Sequence, residues 1–417
     1  MHAVPPEGLA PGPVADLRPI ASASTCATRL ATRVLWALLV SATLMGLDAA
    51  LRSAVPSQAL AAWPERVPVP QGRLGVLGQG HMPMPPATPS AHASTLLAMP
   101  DSDPVALWAF WFAGSRESGP DVQIVASAFS RHQQQWSPAQ AVVNRHVSAA
   151  ELGYGVRRLG NPVAWRDAQG RINLFVVATG LGGWAAGRIK QMRQIEVGQD
   201  PEALKFETVR VLPLSWLWNI SHLVRAMPLA LADGGMVLPV YFELGKKYPV
   251  ALRFDAQGEF LGMVRMSRQA DRLQPTLLMR SATDWVALMR DNSPARQLHA
   301  AQTLDGGVHW HDLPDPGLPN PDAAVAGLAL APSRLYLAHN PRAESRAVLA
   351  LSESVDGLSW RPVLTLAQGQ GQGQGQGRDE YSYPSMTWAD NSLWVSYTDQ
   401  RQRIAWQRLG FIQESSP

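Results

Sequence analysis

Beyond about residue 90 the apolar residues of the chain show no helical spacing. Short runs rich in Val, Leu, Trp, Phe and Tyr alternate with Gly, Asp and Asn, the pattern of strands joined by tight turns. The runs repeat as a strand, a polar turn and a second strand that ends on a polar residue. The copies are HASTLLAMPDSDPVALWAFWFAG (92–114), GNPVAWRDAQGRINLFVVATG (160–180), VRAMPLALADGGMVLPVYFEL (224–244), LQPTLLMRSATDWVALMRD (273–291), NPDAAVAGLALAPSRLYLAHN (320–340) and YSYPSMTWADNSLWVSYTD (381–399). Turns such as DAQG, ADGG and ADNS supply residues that tolerate positive φ in a hairpin. A third strand generally follows each copy, as in VQIVASAF, VALRF and RIAWQRL. Six four-stranded units predict an all-β chain, a six-bladed β-propeller over 92–410. Blades packed face to face explain why the strands are apolar on both sides.

Several third strands lead into a turn closed by Trp. TLDGGVHW (303–310) fits the Asp-box pattern Ser/Thr-x-Asp-x-Gly-x-Thr-Trp with His309 in place of the Thr, and SVDGLSW (354–360) and RHQQQW (131–136) are degraded copies. The Asp and Gly make the turn and the Trp packs beneath it, so these residues are structural. The run QGQGQGQGQG (368–377) has no side chain able to pack and reads as a flexible expanded loop.

The first 90 residues differ. Arg29 and Arg33 precede VLWALLVSATLMGL (34–47), an uncharged run of 14 residues ended by Asp48; passing over Asp48 to Leu51 gives 18. That length fits a signal segment or a single anchor helix over about 34–51. Ala59-Leu60-Ala61 has the small-x-small form of a signal-peptidase site. The expected organisation is a tail with this helix over 1–61, a Pro/Gly-rich linker over 62–91 and the propeller beyond. Either export reading puts the body outside the cytoplasm, periplasmic or anchored in the inner membrane.

Composition narrows the chemistry. Net charge is +3, and of 36 basic residues only Lys190, Lys205, Lys246 and Lys247 are lysines. No basic run or aromatic-basic stripe is present, which argues against a nucleic-acid partner. The single cysteine, Cys26, precedes the body. A disulfide, a thiolate nucleophile and a cysteine-based metal site are thereby excluded from the body. The histidines show no metal-ligand spacing, so neither metal nor cofactor is expected, and the chain reads as a monomer.

The innermost strand of every blade begins at one mouth of the central channel. The first residues of the six copies, His92, Asn161, Arg225, Gln274, Asn320 and Tyr383, are all polar and should converge there. The connections from second to third strand return to the same mouth. They carry Arg116, Glu117 and Asp121 in GSRESGPDV, Glu243 in blade three, Arg290 and Asp291 in blade four, and Arg401 in blade six. Polar residues from six blades at one mouth make a binding pocket.

With these residues in place, the chain resembles the sialidase (neuraminidase) superfamily in its bacterial BNR-repeat, Asp-box branch. The resemblance is carried by WFAGSRESGPDV, GNPVAWRDAQGR, GGWAAGRIK, LADGGMVLPVY, LPNPDAAVAGLAL and DEYSYPSM, across about 92–410. It implies a metal-free exo-α-sialidase-like glycoside hydrolase acting on terminal acidic sugars. By resemblance Tyr383 is the nucleophile, Glu243 its proton partner and Asp121 the acid/base. Arg116, Arg225 and Arg290 form a clamp for the sugar carboxylate, where a planar guanidinium fork outperforms Lys. His92, Asn161, Gln274 and Asn320 complete the substrate site. SAHASTLL stands where the family has Phe-Arg-Ile-Pro, and it puts His92 at the family's arginine. His and Tyr beside arginine equally suit β-elimination from a uronic acid, and a non-catalytic glycan-binding propeller is a third reading. The expected partner in each case is an acidic glycan or polysaccharide, with the membrane a further partner if the N-terminal segment is retained.

Overall fold

The computed structural model describes residues 23–52, 57–62, 72–195, 204–369 and 379–412. Most of the Gln-Gly run lies outside them. The chain forms two compact units, one through Ala50 and one from Leu51 onward. The described residues of the first lie in a helix, Ala23–Arg52, whose segment Ala27–Leu51 of 25 residues is long and apolar enough to cross a bilayer.

The second unit is a six-bladed β-propeller, as the repeats predict. Blade one consists of Ser90–Ala98, Val105–Gly114, Gln123–Ser130 and Gln140–Val143, ordered from the channel outward. The innermost strands of blades two, four, five and six are Arg158–Arg166, Arg272–Met279, Ala326–Ala331 and Tyr381–Ala389. In blade three the inner strand is broken. His222–Val224 and Leu229–Ala230 both pair with Met236–Phe242, and Arg225 lies in the gap.

Ring closure corrects one sequence expectation. Arg73–His81, within the stretch read as a linker, pairs antiparallel with Arg403–Ile412 and becomes the outer strand of blade six. Its glycines hide it from an apolar-pattern reading. The strand runs across Trp406, and a Cβ on Gly80 would meet the indole nitrogen at an ordinary contact distance of 3.4 Å. The first segment of the propeller thus pairs with its last strand, and the ring is closed by backbone hydrogen bonds.

Blade six is also locked to blade one by side chains. Trp394 is fully buried, with its ring 4.8 Å from Phe129, 5.5 Å from Trp406 and 6.5 Å from Trp136. The Asp-box turns sit on the face opposite the mouth. Thr303 Oγ1 donates to Asp305 Oδ1 at 2.8 Å, and that oxygen accepts from the Val308 and His309 amides. His309 Nδ1 bonds the other Asp305 oxygen at 2.6 Å, where Ser359 uses its hydroxyl on Asp356 in blade five at 2.9 Å. Substitution of the motif's Thr therefore preserves the turn.

Trp394→Ala should destabilise the propeller by about 3–5 kcal/mol, because a large ring is lost from an interface that cannot collapse around it. Urea unfolding monitored by circular dichroism measures this. A loss below about 1 kcal/mol would show that blades six and one are held mainly by the closing strand.

Candidate active site

Several of the side chains at the mouth depend on a local backbone irregularity. Four inner strands carry a bulge near their first residues, between His92 and Thr95, Gly160 and Val163, Leu273 and Thr276, and Ser382 and Ser385. The residue inside each bulge has positive φ: Ala93 (55°), Asn161 (46°), Gln274 (46°) and Tyr383 (54°); Asp322 (53°) does the same in blade five. A left-handed L-residue breaks the alternation of the strand and turns its side chain out of the sheet face. Pro162, Pro275 and Pro384 follow three of them. Proline is tolerated there because the bulge has already left the hydrogen-bonded ladder.

Together these elements enclose a cavity of about 180 Å³ lined by His92, Phe112, Glu117, Asn161, Trp184, Leu223, Tyr241, Glu243, Lys247, Leu273, Gln274, Arg290, Asn292 and Tyr383. Two larger grooves, about 530 and 610 Å³, lie on the outer side near Arg334, Glu353 and Arg361, away from the bulges and without converging blades. The chemistry belongs to the smaller cavity.

Tyr383 is its centre. Arg290 Nη1 donates to the Tyr383 hydroxyl at 3.2 Å and to Gln274 Oε1 at 2.9 Å, while Arg290 Nε is held by Asp322 Oδ1 at 2.6 Å. Gln274 Nε2 in turn donates to the Tyr241 hydroxyl at 3.3 Å. The His92 ring lies 4.2 Å from the Tyr383 ring. Beside them, Glu380 takes two bonds from Arg401, at 2.6 and 3.1 Å, and one from Arg346 at 3.0 Å. Arg401 also pairs with Glu117 of the rim loop. Arg346 further donates to the Asp322 carbonyl, which ties the two networks together.

This field sets the protonation states. Burial alone would raise the Tyr383 phenol, yet the charges of Arg290 and Arg346 and the bond from Gln274 prevail and hold it below the ordinary value. Tyr241 is pushed up by burial and by the nearby Glu243, so it stays neutral. Glu243 is itself raised, chiefly by burial and despite Lys247 and Arg290. Its carboxylate has no hydrogen-bond or ion-pair partner among the described residues. His92 is driven well down, by burial first and then by the charge of Arg401, and is neutral. Glu380 is held at about 2 because its arginine bonds outweigh its burial.

Of the residues anticipated from sequence, the structure gathers His92, Asn161, Gln274, Arg290, Glu243 and Tyr383 around one cavity. It does not bring four others to the lining. Arg225 is 3% exposed and donates to the backbone carbonyls of Ser94, Tyr383 and Pro384, so it braces the channel in the gap of blade three. Burial pushes its pKa down to about 10. Asn320 is buried, and its Oδ1 accepts from the Ala323 amide of its own turn and from the Asp291 amide of blade four. Arg116 is exposed on the rim loop. Asp121, also exposed, accepts from the Ser115 amide at 2.7 Å and hydroxyl at 2.8 Å, and Glu117 of that loop faces the cavity instead.

Arg346, Glu380 and Asp322 were missed. Arg346 and Glu380 lie just before strands rather than at a strand end or hairpin turn, and Asp322 is hidden behind the Asn320-Pro321 pair. The available signal is the polar-Pro dipeptide: Asn161-Pro162, Gln274-Pro275 and Tyr383-Pro384 mark the bulges, and in blade five the reading must shift two residues beyond the Asn.

A bulged, six-bladed ring with an arginine-bound tyrosine at its mouth defines a sialidase-like propeller. The chain belongs to the BNR repeat-like domain family, whose model matches residues 106–395. Among solved structures it is similar to the Hadza microbial sialidase Hz136, at 14% identity and a TM-score of 0.61 over 78% of this chain and 66% of that one. It is likewise similar to a protein of unknown function from Dyadobacter fermentans (12%, 0.61, covering 81% and 99%) and to Trypanosoma rangeli sialidase (12%, 0.57, covering 77% and 55%). The chain thus spans two thirds or less of the length of those two sialidases. No curated protein matches it.

Ultraviolet difference titration tests the field at Tyr383. Arg346→Met should raise the pKa of Tyr383, since it removes a charge that favours the phenolate. An unmoved titration would show that Arg290 and Gln274 alone set it.

Proposed function

We propose that the protein is an exo-sialidase-like glycoside hydrolase that removes terminal carboxylated sugars. The observation that carries this reading is Tyr383: a buried phenol, held below its ordinary pKa, with a guanidinium on its oxygen. A neutral or weakly acidic tyrosine is a poor nucleophile, and these charges activate it. A phenol also avoids the repulsion that a carboxylate nucleophile meets from an anionic sugar.

The substrate carboxylate is received by Arg290. Its Nη2 has no partner among the described residues, while its other nitrogens are fixed by Asp322, Gln274 and Tyr383. Arg346 and Arg401, oriented by Glu380, supply the remaining positive field. Arg116 and Arg225 have no part in this clamp. Glu243 takes the Tyr383 proton as the phenol attacks the anomeric carbon. The leaving oxygen departs on the opposite side, toward the rim loop, where Asp121 protonates it and later recovers the proton from water. To do so Asp121 exchanges its Ser115 bonds for the substrate. The N-terminal helix fits export, with the mouth acting on glycans outside the cytoplasm.

β-Elimination from a uronic acid is the second reading. It is favoured by His92, a neutral imidazole 4.2 Å from the Tyr383 ring whose Nδ1 has no hydrogen-bond partner.

Release of fluorophore from a sialoside, against absorbance of an unsaturated uronate, separates the two. Hydrolysis is expected, with Tyr383→Phe losing at least about a hundredfold in kcat. Arg290→Lys should lose about ten- to a hundredfold in kcat/KM, the value of a charge-assisted bond. Arg116→Ala should stay near wild type. Turnover of the uronate alone would transfer the function to elimination, and equal activity in Arg290→Lys would remove the carboxylate clamp.

The pH profile follows from the two carboxyls. Glu243 must be ionised although burial raises its pKa, and Asp121 must be protonated although Ser115 holds its pKa down, so the active pair is a minority form. Activity therefore rises with pH through the lower, Asp121 pKa and falls through the higher, Glu243 pKa, a falling limb that Glu243→Gln removes. Ser115→Ala should move the rising limb to higher pH. A limb that stays put assigns the acid to another group.

A further inference from the structure

Ala59-Leu60-Ala61, with the form of a leader-peptidase site, is built into the propeller. It crosses the face opposite the mouth, over the hairpin turns of blades three and four. The Ala59 amide donates to the Gly306 carbonyl at 3.2 Å, the Ala61 amide to Ala282 at 2.8 Å and the Ala62 amide to Ala230 at 2.9 Å. The Leu60 carbonyl accepts from the Ala232 amide at 2.8 Å, and Ala61 forms an antiparallel bridge with Leu231. Side chains alternate as in a strand: Ala59 and Ala61 are 2% and 4% exposed, Leu60 50%. The two inward methyls join the core around Leu231, Met279 and Trp285.

The small residues have a packing reason. A Cβ placed on Gly306 would lie 1.9 Å from the Ala59 carbonyl oxygen, so backbone here meets backbone. Gly306 is also left-handed, with φ at 70°, in the Asp-box turn. The turn and the segment are shaped to each other. A cut after Ala61 would strip two core side chains and at least three backbone bonds from this face.

We infer that residues 57–62 are a permanent strap of the propeller and that the chain is not processed at Ala61. The Ala23–Arg52 helix accordingly stays attached as a membrane anchor.

The full chain with a C-terminal tag tests this in a bacterial host. The isolated protein should retain its helix by intact mass and should leave the membrane with detergent but not with alkaline carbonate. A soluble chain beginning between residues 53 and 63 would overturn the inference. In the detergent-solubilised protein the amides of Ala59, Ala61 and Ala62 should exchange at least about a hundredfold more slowly than open chain. Exchange at open-chain rates overturns the strap. Gly306→Val should accelerate those amides, and Ala59→Leu serves if that variant does not fold; protection unchanged in a folded variant counts against the packing.

Discussion

The site depends on one backbone device, a left-handed residue set in a bulge at the mouth end of the inner strands. In a regular strand, alternate side chains would point into the neighbouring blades, and the channel would be lined by backbone. Positive φ at Asn161, Gln274, Asp322 and Tyr383 turns those side chains inward. Each such conformation costs about 1–3 kcal/mol for a residue other than glycine. The closed ring offsets this cost, because its strands are fixed by neighbours on both sides. Blade one uses the same device with Ala93, which offers nothing chemical, and leaves His92 before it as the residue against the Tyr383 ring.

Once those groups face inward they must be satisfied, and this determines the second shell. An arginine brought out of water needs carboxylates and carbonyls around it. Arg290 has Asp322, Arg346 and Arg401 share Glu380, and Arg225 uses three backbone carbonyls in the gap of blade three. The broken strand of that blade leaves room for Arg225, and the bulges of blades one and six supply the carbonyls of Ser94, Tyr383 and Pro384 that let this buried cation persist. The same cations lower Tyr383 while burial raises Tyr241 and Glu243. One cavity consequently holds an acidified phenol, a neutral phenol and a carboxyl with raised affinity for protons, within reach of each other's fields.

Much of this was legible in the sequence, and the parts that were not have physical reasons. Hairpin repeats, apolar strands and Asp-box turns identify the propeller because every blade obeys the same packing rule. Tyr383, Gln274 and Asn161 could be placed because a polar residue before an apolar strand is an anomaly that the channel explains. The same rule misled at Asn320, where an Asn that caps its own turn looks identical to one aimed at the channel. It misled at Arg225 too, because sequence does not tell whether an arginine ends on carbonyls or on solvent. The closing strand Arg73–His81 was hidden by glycines that interrupt its apolar pattern. Arg346 and Glu380 were hidden because their positions follow from pairing with each other across two blades.

Ala59-Leu60-Ala61 shows how one local pattern can arise from two unrelated constraints. A peptidase needs small side chains so that an extended backbone fits its cleft. The Gly306 turn needs them for the same reason, since it too receives an extended backbone at contact distance. Sequence carries only the shared requirement, which is closeness of approach. What separates the two is whether the partner backbone lies within the same chain. Here the amides of Ala59, Ala61 and Ala62 find their acceptors in blades three and four, at a point where the turn residue has no Cβ. Backbone bonds to an internal partner form as the propeller folds and persist with it. The segment and the ring are therefore joined by the same kind of contact that closes blade six.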